Sequence, residues 1–469
     1  MRKFGLSAAA VLLFAVPAWA QYPPQVPDGF PAPVGYPLPG YQPGMYAGGF
    51  APPDMLPPVG MPPMGMPPGM PPMGGLMPPG ANPGAGGFTF DPGNACADPC
   101  APGAPRYVRA FVRSESWVRF DWLNWNFRDQ PVPALIGTGN PTILAAGVPG
   151  GGNFSPLVGP NRDLGRFNGM RTTVGQWFDD EGELGGEISG FVFARRGSAD
   201  FFQGAGRPLT VPVISAGGGF AAYNFAFPGA FNGALGVRTA SQLWSGEGSL
   251  LRRQHGDCNL SIDTFIGPRY MQLNERLDLL GRTQGAGGVA TFNGATLPAG
   301  VVVNTSDAFR ACNEFIGGQV GARGEYHHDM FTVSSFGKFG LGATLQTLRV
   351  EGNTVASGFG INRTALGGVR ALRSNIGRNT NTDFSIIAET GIEVGMQVTK
   401  FMSVRVGYNM LFWSDVQRPG NATDPVVAFS QVPIDPTFNP AVAATRPATR
   451  FRSSDFLAHG LVVGVVLDW

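Results

Sequence analysis

Charge is scarce in this chain: Asp, Glu, Lys and Arg make up 14% of its 469 residues, against about 25% in ordinary soluble domains. The formal net charge is +1, so there is no basic field for nucleic acid and no long run of one sign to hold a polyanion. Histidine occurs only at His255, His327, His328 and His459, which leaves little material for acid-base catalysis. Beyond residue 16 no unbroken apolar run reaches the roughly 20 residues that a membrane-spanning helix requires.

What is abundant points elsewhere. Aromatic residues are 11% of the chain, with 35 phenylalanines and 70 glycines. A transmembrane β-barrel has this composition, because its outer face must be apolar while each spanning strand needs only about ten residues. The final residues fit that idea. Leu461, Val463, Val465, Leu467 and Trp469 alternate with Val462, Gly464, Val466 and Asp468, so one strand face is continuously apolar and the other carries glycine and a carboxylate. This resembles the closing strand of an outer-membrane barrel, whose terminal aromatic, here Trp469, is part of the signal for the barrel-assembly machinery.

The amino terminus directs the chain out of the cytoplasm. Arg2 and Lys3 precede an apolar stretch over 6–16, and Ala18-Trp19-Ala20 supplies small residues at the two positions a signal peptidase needs. Residues 1–20 therefore read as a signal peptide, with no cysteine behind the cleavage point to carry a lipid. Residues 21–105 read as a disordered Pro/Gly/Met-rich periplasmic tether, since proline removes backbone donors and glycine costs entropy to fix. A cell-envelope partner of this arm is a further expectation. Met61, Met64, Met66, Met70, Met73 and Met77 would suit Cu(I), but low-complexity drift explains them better and no metal site is expected. Cys96 and Cys100 sit close enough for a small local disulfide. Cys258 and Cys312 should not bond, being near opposite ends of two adjacent strands.

From residue 106 onward the pattern is all-β. Strands are predicted near 116–127, 169–178, 183–195, 239–252, 258–272, 309–326, 330–349, 383–398, 401–413 and 456–469. The breaks between them alternate between short turns (179–182, 253–257, 327–329, 399–400) and linkers of roughly thirty to forty-five residues. Short turns on one side and long loops on the other describe a closed antiparallel up-and-down transmembrane β-barrel of about 10 strands, with both chain ends on the periplasmic side. Apolar runs at 209–214, 301–303 and 426–429 are either further strands, raising the count to 12, or hairpins within the extracellular loops.

Parity divides each strand. In the strand from Asp383, Glu389, Gly391, Glu393, Gly395 and Gln397 share one face, while Ile386, Ala388, Ile392, Val394, Met396 and Val398 share the other. A charge facing lipid at mid-membrane costs about 2–4 kcal/mol, so the charged parity belongs inside. The same argument assigns Arg119, Asp121, Glu183, Glu187, Glu247, Asp263, Arg269, Lys338, Glu389, Glu393 and Arg405 to the lumen. The strand from Phe309 is irregular, with Phe315 on the parity of Asn313 and Gln319, and a bulge is expected there.

Several segments together resemble the β-barrel porin family numbered seven of planctomycete bacteria. They are Ser116-Trp117-Val118-Arg119 with Leu123 and Trp125; Gly267-Pro268-Arg269-Tyr270 with Leu273 and Glu275; and Asp307-Ala308-Phe309 leading to Asn313-Glu314-Phe315-Ile316-Gly317-Gly318-Gln319. Gly407-Tyr408-Asn409, Trp413-Ser414, Val416-Gln417-Arg418-Pro419-Gly420, Asp455-Phe456 and Gly460 complete the set. The resemblance runs from about residue 110 to the end and departs at Ile316, where the family favours another aromatic. It implies an outer-membrane barrel surrounded by lipid, and it brings no substrate, cofactor or mapped site residue.

Three functions fit these readings. The first is passive passage of small solutes through a narrow polar lumen. The second is a structural or surface-display barrel whose long loops make contacts outside. The third, an outer-membrane hydrolase, is poorly supplied: His459 near Ser453, Ser454 and Asp455 is the one acid-base constellation, and the other histidines fall near periplasmic turns. No catalytic, cofactor or metal-binding residue is assigned. Because barrels of about eight strands are filled by their own side chains, ten strands argue against a wide pore.

Overall fold

The computed structural model describes residues 116–139, 154–179, 181–256, 259–285 and 290–469. The expected signal peptide, the Pro/Gly/Met-rich segment with its methionines, the start of the expected barrel segment at 106–115, and Cys96, Cys100 and Cys258 lie outside the described residues. Cys312 is a free thiol.

Ten antiparallel strands form a closed ring: β1 (Ser116–Phe127), β2 (Arg166–Trp177), β3 (Leu184–Phe193), β4 (Phe231–Gly256), β5 (Leu260–Gly285), β6 (Val302–His328), β7 (Phe331–Gly358), β8 (Gly377–Thr399), β9 (Met402–Gln417) and β10 (Ser453–Asp468). Each pairs with its neighbour in sequence, and β10 returns to β1. Closure is completed at the chain end, where Ser116 and Trp469 exchange both backbone hydrogen bonds at 3.1 Å. A closed ladder leaves no unpaired edge, which is the condition for a sheet to survive in lipid. Of the twelve strands in this sheet, the two outside the ring, Arg196–Gln203 and Ile361–Leu366, run along β4 and β7 on the long-loop side.

The outer face is a belt of exposed apolar side chains, among them Phe120, Trp122, Ile188, Ile266, Ile316, Val320, Phe339, Leu341, Phe384, Ile392, Val394, Val406, Tyr408 and Leu461. Between strands on one side the turns are tight. Asp329, in the left-handed conformation at φ 53°, makes the reversal between β6 and β7, and the Asp179 carboxylate accepts the N–H groups of Glu183 and Leu184 at 2.9 and 3.0 Å.

Strands β4 to β8 run well beyond the expected bounds on the other side. There the ladder continues but the residues are Arg, Asn, Thr and Asp on the outer face, so the apolar period that marks a strand in lipid is lost although the hydrogen bonds persist. The run at 301–303 is part of this extension, as Val302 opens β6. The runs at 209–214 and 426–429 do not enlarge the ring. Strand Leu209–Ser215 belongs to a separate five-stranded sheet with Phe220–Ala226, Ile136–Thr138, Ser155–Val158 and, in parallel, Val426–Val427. This loop sheet packs inside the extended strand walls, where Val211, Val213 and Phe225 meet Leu235, Val237, Leu277, Phe309 and Leu348 in one buried cluster.

The expected bulge in β6 does not occur. Its pairing with β5 and β7 runs in unbroken register from Val302 onward. Phe315 shares the inward face with Asn313 and Gln319 because the lumen itself turns apolar at that level.

Candidate functional site in the barrel interior

Ion pairs between strands that are not neighbours in the ring must cross the lumen, and they define its contents. At mid-height Glu389 (β8) receives Arg171 (β2) at 2.6 Å and Arg269 (β5) at 2.7 Å, with all three buried. Arg119 joins Asp121 at 2.7 Å and Glu393 at 2.8 Å. Glu247 is held by Lys338 and by Arg269 at 3.5 Å, and Gln319 donates to Glu247 at 3.1 Å. Four cations thus meet four carboxylates in one layer. In a low-dielectric space a balanced, mutually bonded set is tolerable where a single charge is not.

Below this layer, at the short-turn end, the lumen opens into a cavity of about 420 Å³. Its walls carry Arg253 on Asp263 at 2.8 Å, Arg323 between Glu187 at 3.2 Å and Asp263 at 3.6 Å, and Arg405 on Glu325 at 2.6 Å.

Above the ionic layer the lumen is filled by apolar side chains. Leu123, Trp125, Phe193, Leu243, Met271, Leu273, Phe315, Leu411, Trp413 and Phe456 are each 0% exposed and form one cluster with Phe127, Phe167 and Phe191. Phe127 stacks on Phe167 with centroids 3.8 Å apart, and Trp125 lies 5.1 Å from Phe193. Arg171 spans the boundary, its guanidinium 5.3 Å from the Phe191 centroid while it reaches down to Glu389. The Trp413 indole N–H donates to Thr344 at 3.0 Å, which satisfies the one polar atom it brings into the layer.

A second seal follows. Residues 418–423 after β9 turn into the lumen, where buried Arg418 binds Glu275, one contact being 2.9 Å. Gln417 and Asn313 exchange two hydrogen bonds at 2.7 and 2.9 Å. Gly420 passes so near the Pro131 carbonyl that a Cβ there would lie 1.7 Å from its oxygen, so only glycine permits this approach.

Of the residues assigned to the lumen by parity, Arg119, Asp121, Glu187, Glu247, Asp263, Arg269, Lys338, Glu389, Glu393 and Arg405 take part in these inward contacts. Glu183 is placed differently: it sits in the exposed turn before β3, because the strand begins one residue later than its parity suggested. Arg171, Arg253, Arg323 and Glu325 were missed. Arg323 and Glu325 share the parity of Asn313 and Gln319, which is the signal that could have found them. The apolar layer was also missed, although Leu123, Trp125 and Phe127 continue the parity of Arg119 and Asp121.

His327 faces inward beside Thr332, 3.0 Å away, while His328 points outward and is exposed. His459 is on the outward parity of β10 with Ser453 and Asp455, and lines a cavity with Ser454 and Asp455, but its hydrogen bond is to Tyr408 and it makes none to those three residues. Among the described residues no group of three His, Cys, Asp or Glu side chains is placed to hold a metal ion.

A closed ring of ten antiparallel strands with a greasy exterior and a polar, ion-paired mid-lumen defines a transmembrane β-barrel. The chain belongs to the family described as Putative beta barrel porin-7, whose model matches residues 117–469, and it is an outer-membrane barrel of that family. No curated protein matches it. Among solved structures it is similar to the outer membrane protease OmpT from Escherichia coli, with 8% identity over 76% of this chain and 98% of that one and a TM-score of 0.36. It is also similar to the toluene transporter TodX of P. putida, with 8% identity over 78% and 93% of the two chains and a TM-score of 0.16. At such scores neither likeness bears on activity.

Proposed function

We propose that this protein is a sealed outer-membrane barrel that serves as a scaffold, presenting its extended walls and loop sheet at the cell surface, and that it is neither a solute channel nor an enzyme. The observation that carries this reading is the apolar layer across the lumen. Passive passage of small polar solutes needs a continuous wet path, and Trp125, Phe315 and Trp413, all fully buried, leave none between the ionic layer and the outer mouth. The Arg418–Glu275 pair and the loop sheet close the same route again. A working surface on loops held by a rigid scaffold is the arrangement most surface recognition uses.

In this reading lipid surrounds the apolar belt, the assembly machinery engages the closing strand that ends on Trp469, and the Pro/Gly/Met-rich segment extends into the periplasm. The test is conductance in planar bilayers, with heat-modifiable migration as the check that the barrel is folded. A folded barrel that stays silent supports the scaffold. Discrete openings from the same preparation would overturn it and restore the channel.

A further inference from the structure

The outward face carries a feature that neither lumen nor loop sheet explains. Arg276, Arg310, Arg349 and Arg378 are direct cross-strand partners in succession on β5, β6, β7 and β8. Like charges directly opposite one another in a sheet are destabilising, and here four stand in one unbroken row. Arg195, two residues beyond β3, is near the row: its pKa is lowered by burial and by Arg276, raised by Asp278 and lowered again by Arg310. Two carboxylates temper the row. Asp278 takes Arg276 at 2.7 Å, and Glu351 takes Arg310 at 2.9 Å and Arg349 at 2.5 Å. Arg195 and Arg378 have no ion pair with the described residues, so the patch keeps a clear positive excess.

Its height is informative. The outer belt ends on Ile316, Leu345 and Phe384, exposed by 64%, 40% and 66%, and the next rung pairs Cys312 with Thr347 and Thr347 with Thr380. Arg349 is four residues above Leu345, while Arg310 and Arg378 are six above Ile316 and Phe384, about 13 and 20 Å along the strands and roughly 10 and 15 Å along the axis at ordinary barrel tilt. Arginine stems lie along apolar surface with the guanidinium turned to the polar zone. That places the row at the headgroup level of the leaflet on the long-loop side.

We infer that this arginine row binds the phosphate groups of anionic lipid in the outward-facing leaflet. Guanidinium forks match phosphate oxygens in pairs, and an array across four strands suits a lipid carrying more than one phosphate. The inference rests on the barrel lying in lipid with its long loops outward, and it is independent of whether the lumen conducts.

The test uses the full chain purified in neutral detergent and challenged with diphosphorylated lipid A, with phosphatidylcholine and inorganic phosphate as comparators. Retained lipid is counted by native mass spectrometry. The triple variant R310Q/R349Q/R378Q should retain lipid A about a hundredfold more weakly, taking about fivefold per arginine. R252Q/K400Q, which removes charge at the short-turn end, should behave as the parent. Should the triple variant fail to migrate as a folded barrel, the parent protein decides: lipid A should raise its melting temperature and phosphatidylcholine should not. Equal retention by the folded triple variant, equal stabilisation by both lipids, or displacement of lipid A by equimolar inorganic phosphate would each overturn the assignment. Heat-modifiable migration of the parent tests the barrel itself, so failure of that reading is separately visible.

Discussion

Arg269 on β5 and Glu389 on β8 meet across the lumen at 2.7 Å with both side chains buried, although two strands of the ring stand between them. Glu389 holds Arg171 with its other oxygen, so one carboxylate ties three walls of the barrel together. Removing one partner of a buried pair leaves an uncompensated charge and costs about 3–5 kcal/mol. Glu389→Gln should therefore lower the temperature at which the detergent-solubilised barrel loses heat-modifiable migration. An unchanged transition would show that the hub is not a structural tie.

The apolar layer makes a different prediction. Trp413→Ala removes a fully buried aromatic and should cost about 3–5 kcal/mol, read as a lower urea midpoint in detergent. It should leave bilayers silent, since the ion-paired layer below and the Arg418–Glu275 seal above remain. Conductance from this single variant would mean that Trp413 alone is the gate.

The lipid face can be checked by depth. Ile392 is 58% exposed in the apolar stretch of β8, and Ile392→Lys should destabilise the folded barrel in vesicles by about 2–4 kcal/mol, as cations do at the midplane. Thr380→Lys, on the same face above the belt, should cost less than 1 kcal/mol by the same depth rule. Equal costs at the two positions would misplace the membrane.

In the loop after β9, Asp424 is fully buried. Burial would raise its pKa, but the N–H of Ala448 at 2.9 Å, Arg446 at 2.8 Å, the N–H of Val426 at 3.1 Å and Arg450 at 2.9 Å outweigh it and hold the carboxyl below its usual range. A depressed folded-state pKa contributes stability above the ordinary carboxylate value of about 3.9, and that contribution is lost as pH falls through the folded value. Amide exchange around 446–450, corrected for intrinsic rates, should stay slow at neutral pH and accelerate below about pH 4. Asp424→Asn should exchange fast at every pH. Acid-insensitive protection in the parent would remove Asp424 as the anchor.

Strand number was legible because lipid imposes a strict rule. Each crossing must show one greasy parity, and Ile392, Val394 and Met396 against Glu389 and Glu393 announce it without reference to any other strand. Where lipid stops, the rule stops too, and so the outer halves of β4 to β8 read as loops although their ladders continue unbroken.

Sequence by itself therefore determined the alternation, the count of ten crossings and the tight turns on one side. Only the tertiary structure decided what the inside contains. Parity says which side of the wall a residue occupies and nothing about its height or its partner on the opposite wall. Arg171, Arg269 and Glu389 come together, and Trp125, Phe315 and Trp413 share one buried cluster above them, because closure of the ring brings distant strands to one level.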